Sequence, residues 1–230
     1  MWTETLNDLE KDPRNNKRYY FDTTPFRRVL TPTLRQLFKL VAKIQTRGTE
    51  HLPASGPVVL AANHLTNFDV LPMQFSISRP VFFMAKAELH QNPLFDAMIR
   101  KLGAFPVQRG QRDDWALRHA QRVLEHNQVL GIFPEGTRSK GKGLHSAKTG
   151  AARLAIAANC PIVPMALTGT DLIPKGFPRR VLVTITTGAP LFPRRGETAL
   201  GLTDRLMFTL AELLPPELRG VYAERPRWLV

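Results

Sequence analysis

The stretch Val58–Asp69, VVLAANHLTNFD, decides how the rest of the chain is read. Its apolar run Val58–Ala62 reads as a buried strand that delivers Asn63-His64 straight into a turn. Asp69 follows His64 with four residues between them. Five positions along one straight helix amount to about 140° of rotation, so the two side chains cannot share a face there. A working pair therefore needs His64 in the turn and Asp69 in the first turn of a helix, with Thr66 or Asn67 as N-cap. A histidine held by a carboxylate at the carboxyl end of a strand suits general-base work. The bland alternative is a surface histidine and an aspartate that merely favours the helix dipole, and the spacing alone does not separate the two.

Outward from this stretch the chain alternates strands and helices. Further apolar runs occur at Val81–Met84, Val129–Phe133, Ile162–Leu167 and Val181–Thr186. Between them, Asn92-Pro93 opens a helix that Gly103 ends, and Asp113-Asp114 opens a second that stops near Asn127. An alanine-rich third spans His145–Asn159, and a leucine stripe marks a fourth near Thr203–Leu214. The expected fold is a single α/β domain, a mainly parallel sheet with helices packed on it. Ligands in such sheets sit beyond the carboxyl ends of strands, which is where His64 falls.

The 230 residues include 32 Lys+Arg against 19 Asp+Glu, a net charge of +13 that calls for an anionic partner: nucleic acid, lipid headgroups or a phosphorylated substrate. Aromatic residues are only 8% and do not interleave with basic clusters, so no nucleic acid is expected. A single cysteine, Cys160, excludes an intrachain disulfide and a cysteine-based zinc cluster, and no metal or cofactor is expected. No run approaches the roughly 18 apolar residues of a membrane span, and the N-terminus lacks the layout of a signal peptide. Residues 1–24 are polar and read as little structured. From Thr33 to Gly48 the pattern is helical, apolar on one side and basic on the other. Residues 1–48 are thus expected to form an amphipathic membrane-contact segment, through Phe26, Arg27, Arg28, Leu34, Arg35, Leu37, Phe38, Lys39, Val41 and Lys43. The main domain is then 49–230, with its motif-bearing core at about 58–170.

Two later blocks share the logic of the first. KLGAFPVQRG, Lys101–Gly110, leaves a helix and runs extended to Arg109; GIFPEGTRS, Gly131–Ser139, leaves a strand and turns at Gly136. Arg109 and Arg138, with Lys86 after another apolar run, could converge as a clamp for a phosphate monoester. Lys148-Thr149 and Gly150 look phosphate-friendly, yet no P-loop pattern precedes a helix.

NHLTNFD resembles the Asn-His-x4-Asp signature of the glycerolphosphate and lysophospholipid acyltransferase family. GAFPVQR, FPEGTRS and PIVPMAL resemble its following blocks in order, while FFMAKAEL and KTGAARLA are typical of bacterial enzymes that acylate 1-acyl-glycerol-3-phosphate. The resemblance covers roughly Thr49–Thr170. It implies that His64 deprotonates the acceptor hydroxyl and Asp69 orients the imidazole, in the manner of a hydrolase triad whose serine is the substrate's own alcohol. It also implies substrate contacts from Lys86, Arg109, Glu135, Gly136, Thr137 and Arg138, with Pro164 on the acyl-donor side. The reaction implied is acyl transfer from acyl-CoA or acyl carrier protein to lysophosphatidic acid, giving phosphatidic acid for phospholipid synthesis. Another lysophospholipid or an amino-acid-based lipid is the alternative acceptor. The absence of a Gly-x-Ser-x-Gly elbow agrees with a mechanism that uses no protein nucleophile. An amphiphilic substrate implies peripheral, monotopic attachment to an anionic membrane surface at the cytoplasmic face.

Overall fold

Five successive residues of β2 (Val58–Ala62) are fully buried, and they alternate between two cores. Val58, Leu60 and Ala62 pack in one cluster, Val59 and Ala61 in the other. An unbroken apolar run of this kind belongs to a strand covered on both faces. The structure, a computed structural model, describes residues 11–226 apart from 111 and 177. Within it β2 lies centrally in a seven-stranded sheet with β1 (Ala42–Arg47), β3 (Val81–Lys86), β4 (Ala104–Val107), β5 (Val129–Ile132), β6 (Ile162–Thr168) and β7 (Val181–Thr187). The strand order is β1-β7-β6-β2-β5-β3-β4, and every adjacent pair is parallel except β6–β7. The expected mainly parallel α/β domain is what the chain adopts.

Helices cover both faces. α1 (Pro25–Phe38) and α2 (Val70–Ser76) send Phe38, Met73 and Phe75 into the first cluster. α4 (Asp114–Glu125), α5 (Gly150–Ala157) and α7 (Ala199–Glu212) build the second, and the buried alanines Ala151, Ala152 and Ala155 let α5 lie close on β2. α3 (Pro93–Lys101) packs beside β4, capped by Asn92, whose side chain accepts from the Leu94 and Phe95 N–H groups. A short α6 (Ile173–Gly176) precedes β7.

The N-terminal segment departs from expectation in three respects. The helix ends at Phe38, and Ala42–Arg47 forms the edge strand β1, paired in parallel with β7. Ala42 and Ile44 turn inward while Lys43, Gln45, Thr46 and Arg47 are exposed, an alternation that fits a strand as well as a helix stripe. The open edge of β7 settles the choice. Second, two residues expected at a membrane are in the core. Arg27 is 4% exposed and donates to Gln74 Oε1 and the Val81 carbonyl, and Phe38 packs edge-on against Phe75. Leu34 and Val41 are partly buried on the same cluster, whereas Phe26, Arg28, Arg35, Leu37, Lys39 and Lys43 remain exposed.

Third, the described part of residues 1–24 is docked along the domain. Arg14 bridges Asp12 and Asp113, Asn15 accepts from the Trp115 indole N–H, and Tyr19 and Phe21 pack on His119. His119 stacks on Trp115 and touches Phe105, and burial pushes its pKa down to about 3. Below about pH 6.5 the unfolded chain takes up a proton that folded His119 refuses, so stability falls as pH drops from about 6.5 towards about 3. His119→Phe keeps a ring and removes the titration. In urea unfolding at pH 7 and 4.5 the variant is expected to lose about 2 kcal/mol less than the wild type.

Candidate active site

The turn after β2 is held from three sides. Asn63 clamps Leu167 at the end of β6, donating from Nδ2 to its carbonyl (2.9 Å) and accepting its N–H at Oδ1 (2.7 Å). The His64 N–H donates to Glu135 Oε1 at 2.9 Å, and its carbonyl accepts the Ser139 N–H at 2.7 Å. The loop after β5 therefore grips the histidine backbone on both sides. The imidazole stacks on Phe133, with ring centroids 3.9 Å apart and planes within 14°.

His64 Nδ1 lies 2.7 Å from Asp69 Oδ2, the same oxygen that accepts the Leu65 N–H at 2.7 Å and the Thr66 N–H at 2.9 Å. Asp69 is fully buried and stands at the N-cap of α2, one residue ahead of the expected first turn. Its other oxygen meets the hydroxyls of Thr66 and Thr170. With Nδ1 engaged, Nε2 is the nitrogen left to take a proton.

Two cavities meet at His64. The larger, about 480 Å³, runs from Lys86, Arg109 and Arg138 at its mouth past Phe83, Leu71 and Ile99 to Arg27 and Gln74. Arg27 bonds the carbonyl that begins β3 and Lys86 ends that strand, a span of about 16 Å at the strand rise. Arg27 has no carboxylate partner among its bonds, and its Nη1 is buried without a hydrogen-bond acceptor. The smaller cavity, about 200 Å³, is lined by Lys148, Gly136, Gly131 and the start of α5. His64, Met84, Arg109 and Phe133 border both. Gly131, on the smaller cavity, leaves room for the Phe83 ring of the larger, since a Cβ there would sit 2.4 Å from that ring.

The residues singled out in the sequence divide accordingly. Lys86, Arg109 and Arg138 are exposed at the mouth of the larger cavity, Lys86 paired with Glu88 at 2.8 Å and Arg138 bonded to Asn67. Gly136 faces the smaller cavity with a φ of 67°, and Thr137 is exposed beside it. Glu135 lines neither cavity. It is 3% exposed, and its oxygens are taken by the N–H groups of His64 and His145. Burial pushes its carboxyl above the ordinary range, and those two N–H groups draw it partly back. Pro164 sits in mid-β6, paired with Ala61 and packed on Gly188, and lines neither of these two cavities. Asn63, Ser139 and Thr170 hold the pair in place. The first two fall inside the NHLTNFD and FPEGTRS blocks and Thr170 in neither. What each of them holds carries no local signal, because the partners are distant in sequence.

A family model described as Acyltransferase matches residues 43–168, more than half of the chain. The chain belongs to the acyltransferase family. Among similar members, the 1-acyl-sn-glycerol-3-phosphate acyltransferase of Bacillus subtilis is 30% identical over 148 residues, 62% of this chain and 73% of that protein. The Escherichia coli protein of the same name is 32% identical over 142 residues, 60% of this chain and 57% of that protein. The chain thus spans a little over half of some of the curated acyltransferases it matches. The crystal structure of the 1-acyl-sn-glycerophosphate (LPA) acyltransferase from Thermotoga maritima superposes with a TM-score of 0.63 at 26% identity, covering 81% of this chain and 80% of that one.

Glu135→Gln is expected to fold but to present an amide N–H to one of the two backbone donors. The loss is about 1–3 kcal/mol in urea unfolding.

Proposed function

We propose that this acyltransferase moves an acyl group from a thioester, acyl-CoA or acyl carrier protein, to the free hydroxyl of 1-acyl-glycerol-3-phosphate, giving phosphatidic acid. The observation that carries the reading is the position of His64. Its carboxylate-paired ring stands where an apolar cavity opens into a ring of cations. The names of the relatives, which act on 1-acyl-sn-glycerol-3-phosphate, support the same acceptor.

In this reading Lys86, Arg109 and Arg138 hold the acceptor phosphate with charge-assisted bonds, Lys86 exchanging its exposed Glu88 partner for it. An acyl chain lies along the apolar wall towards Arg27. Nε2 of His64 takes the hydroxyl proton as the oxygen attacks the thioester carbonyl. The tetrahedral intermediate collapses by breaking the C–S bond, and the imidazolium returns its proton to the departing sulfur. Asp69 keeps Nδ1–H in the productive tautomer and offsets the imidazolium charge, which the Phe133 face also favours. The expected result for His64→Ala is a fall of about a thousandfold or more in turnover of lysophosphatidate, read by mass spectrometry, with the native fold retained by circular dichroism. Wild-type turnover in that variant would refute the mechanism.

The enzyme reaches its substrates from an anionic membrane surface at the cytoplasmic face. Among the described residues no helix is long and apolar enough to cross a membrane. Exposed Phe26, Val29, Leu37 and Leu40 lie beside Arg28, Arg35 and Lys39 in the chain, while exposed Leu89 and Phe95 line the larger cavity and Leu94 is exposed next to Phe95. Each cation near an anionic leaflet contributes about 1 kcal/mol. Deleting the segment would remove β1 and the buried Arg27, so point changes are the cleaner probe. Leu37→Ser with Leu40→Ser is expected to weaken flotation with anionic liposomes, and Arg28→Glu with Lys39→Glu to weaken it further. Unaltered flotation in both would place the contact elsewhere.

A further inference from the structure

The last residue of the dyad's environment comes from just beyond β6, the strand beside β2. Thr170 is fully buried, and its hydroxyl donates to Asp69 Oδ1 at 2.5 Å. The other hydroxyl near that oxygen, Thr66 Oγ1, is 3.3 Å away and already accepts the Phe68 N–H. Oδ2 is served by His64, Leu65 and Thr66, so Thr170 supplies the one short bond to Oδ1. The chain is built to deliver it. Asn63 fastens the end of β6 through Leu167, and Gly169 then turns with φ of 86° so close to β7 that a Cβ would sit 2.2 Å from the Leu182 carbonyl. Only glycine permits that approach, and it drops Thr170 beneath the carboxylate.

We infer that Thr170 is a positioning residue for the proposed reaction, its hydroxyl fixing the carboxylate plane of Asp69 so that Oδ2 stays on His64 Nδ1. The inference rests on that reading for its kinetic consequences but not for its geometry. A buried carboxylate oxygen without a donor bears its full desolvation cost, and rotation about Cβ–Cγ is the way it seeks another. Such rotation draws Oδ2 off the imidazole and releases the ring tautomer. Because the contact spans 101 residues, no motif spacing announces it.

The test uses the full chain and compares Thr170→Val, which keeps the shape, with Thr170→Ser, which keeps the donor. Thr170→Ala serves as the non-donating variant if valine is refused by the core. Loss of the donor is expected to lower kcat about tenfold to a hundredfold with KM for the lyso-acceptor little changed, and serine to regain most of it. In an Asp69→Asn background the valine change should cost nothing more, since Thr170 acts only through that carboxylate. The His64 Nδ1–H resonance in ¹⁵N-edited NMR should be present in the wild type and in Thr170→Ser, and shifted or lost in the non-donating variants. An unchanged resonance with wild-type kcat, or effects that multiply in the Asp69→Asn background, would overturn the assignment. If the wild type fails to acylate the lyso-acceptor, the proposed function fails, and the NMR comparison alone decides the role of Thr170.

Discussion

A carboxyl group with no exposed surface must find its hydrogen-bond partners inside the protein, and that of Asp69 governs much of what surrounds it. Two of its donors are consecutive backbone N–H groups of Leu65 and Thr66, which forces residues 63–66 out of helix and leaves His64 at the end of a strand. Its other donors come from the imidazole and from beyond β6. That convergence needs β2 between β5 and β6 with both faces covered, because only a central strand brings its end against two neighbouring loops at once. The clamps made by Glu135, Ser139 and Asn63 fix the same turn from either side.

What could be read in advance follows from the same physics. Val58–Ala62 and the later apolar runs were legible because a strand buried on both faces has no polar alternation to confuse it. For His64 and Asp69 to work as a pair, helix geometry required a turn between them, since five residues on one helix would have held them apart; that they do form a pair the spacing did not decide. Ala42–Arg47 misled because its alternation is compatible with two periods, and the partner that chose between them, β7, lies far along the chain. Tyr19 and Phe21 were hidden inside a polar stretch, and only the aromatic cluster on α4 gives them a place to pack. Glu135 carries the same lesson at the site, since a motif marks it while contacts distant in sequence determine what it holds; Thr170, outside any motif, shows only through such a contact.

The surplus of cations is also distributed differently from what composition suggests. Several arginines are braces rather than ligand contacts. Arg79 bonds the carbonyls of Pro53, Gly56 and Asn127, Arg14 fastens the N-terminal arm through Asp113, and Arg27 anchors α1 to the start of β3. Asp113 in turn accepts the Gln108 N–H, so the arm also steadies the loop that carries Arg109. Net charge is therefore a poor count of phosphate contacts, since a fork-shaped donor is equally suited to gathering loop carbonyls.

The border that the two cavities share bears on the order of events. His64, Met84, Arg109 and Phe133 face both spaces, and the Phe83 ring of the larger lies against Gly131 of the smaller. In the proposed chemistry no side chain stores the acyl group, so the exchange is obligatorily ternary: donor and acceptor occupy the enzyme together, on either side of one imidazole. Each occupant then forms part of the other's container. Discrimination between acyl chains on one substrate is accordingly felt as a change in fit by its partner, although the two molecules meet only at the reacting atoms.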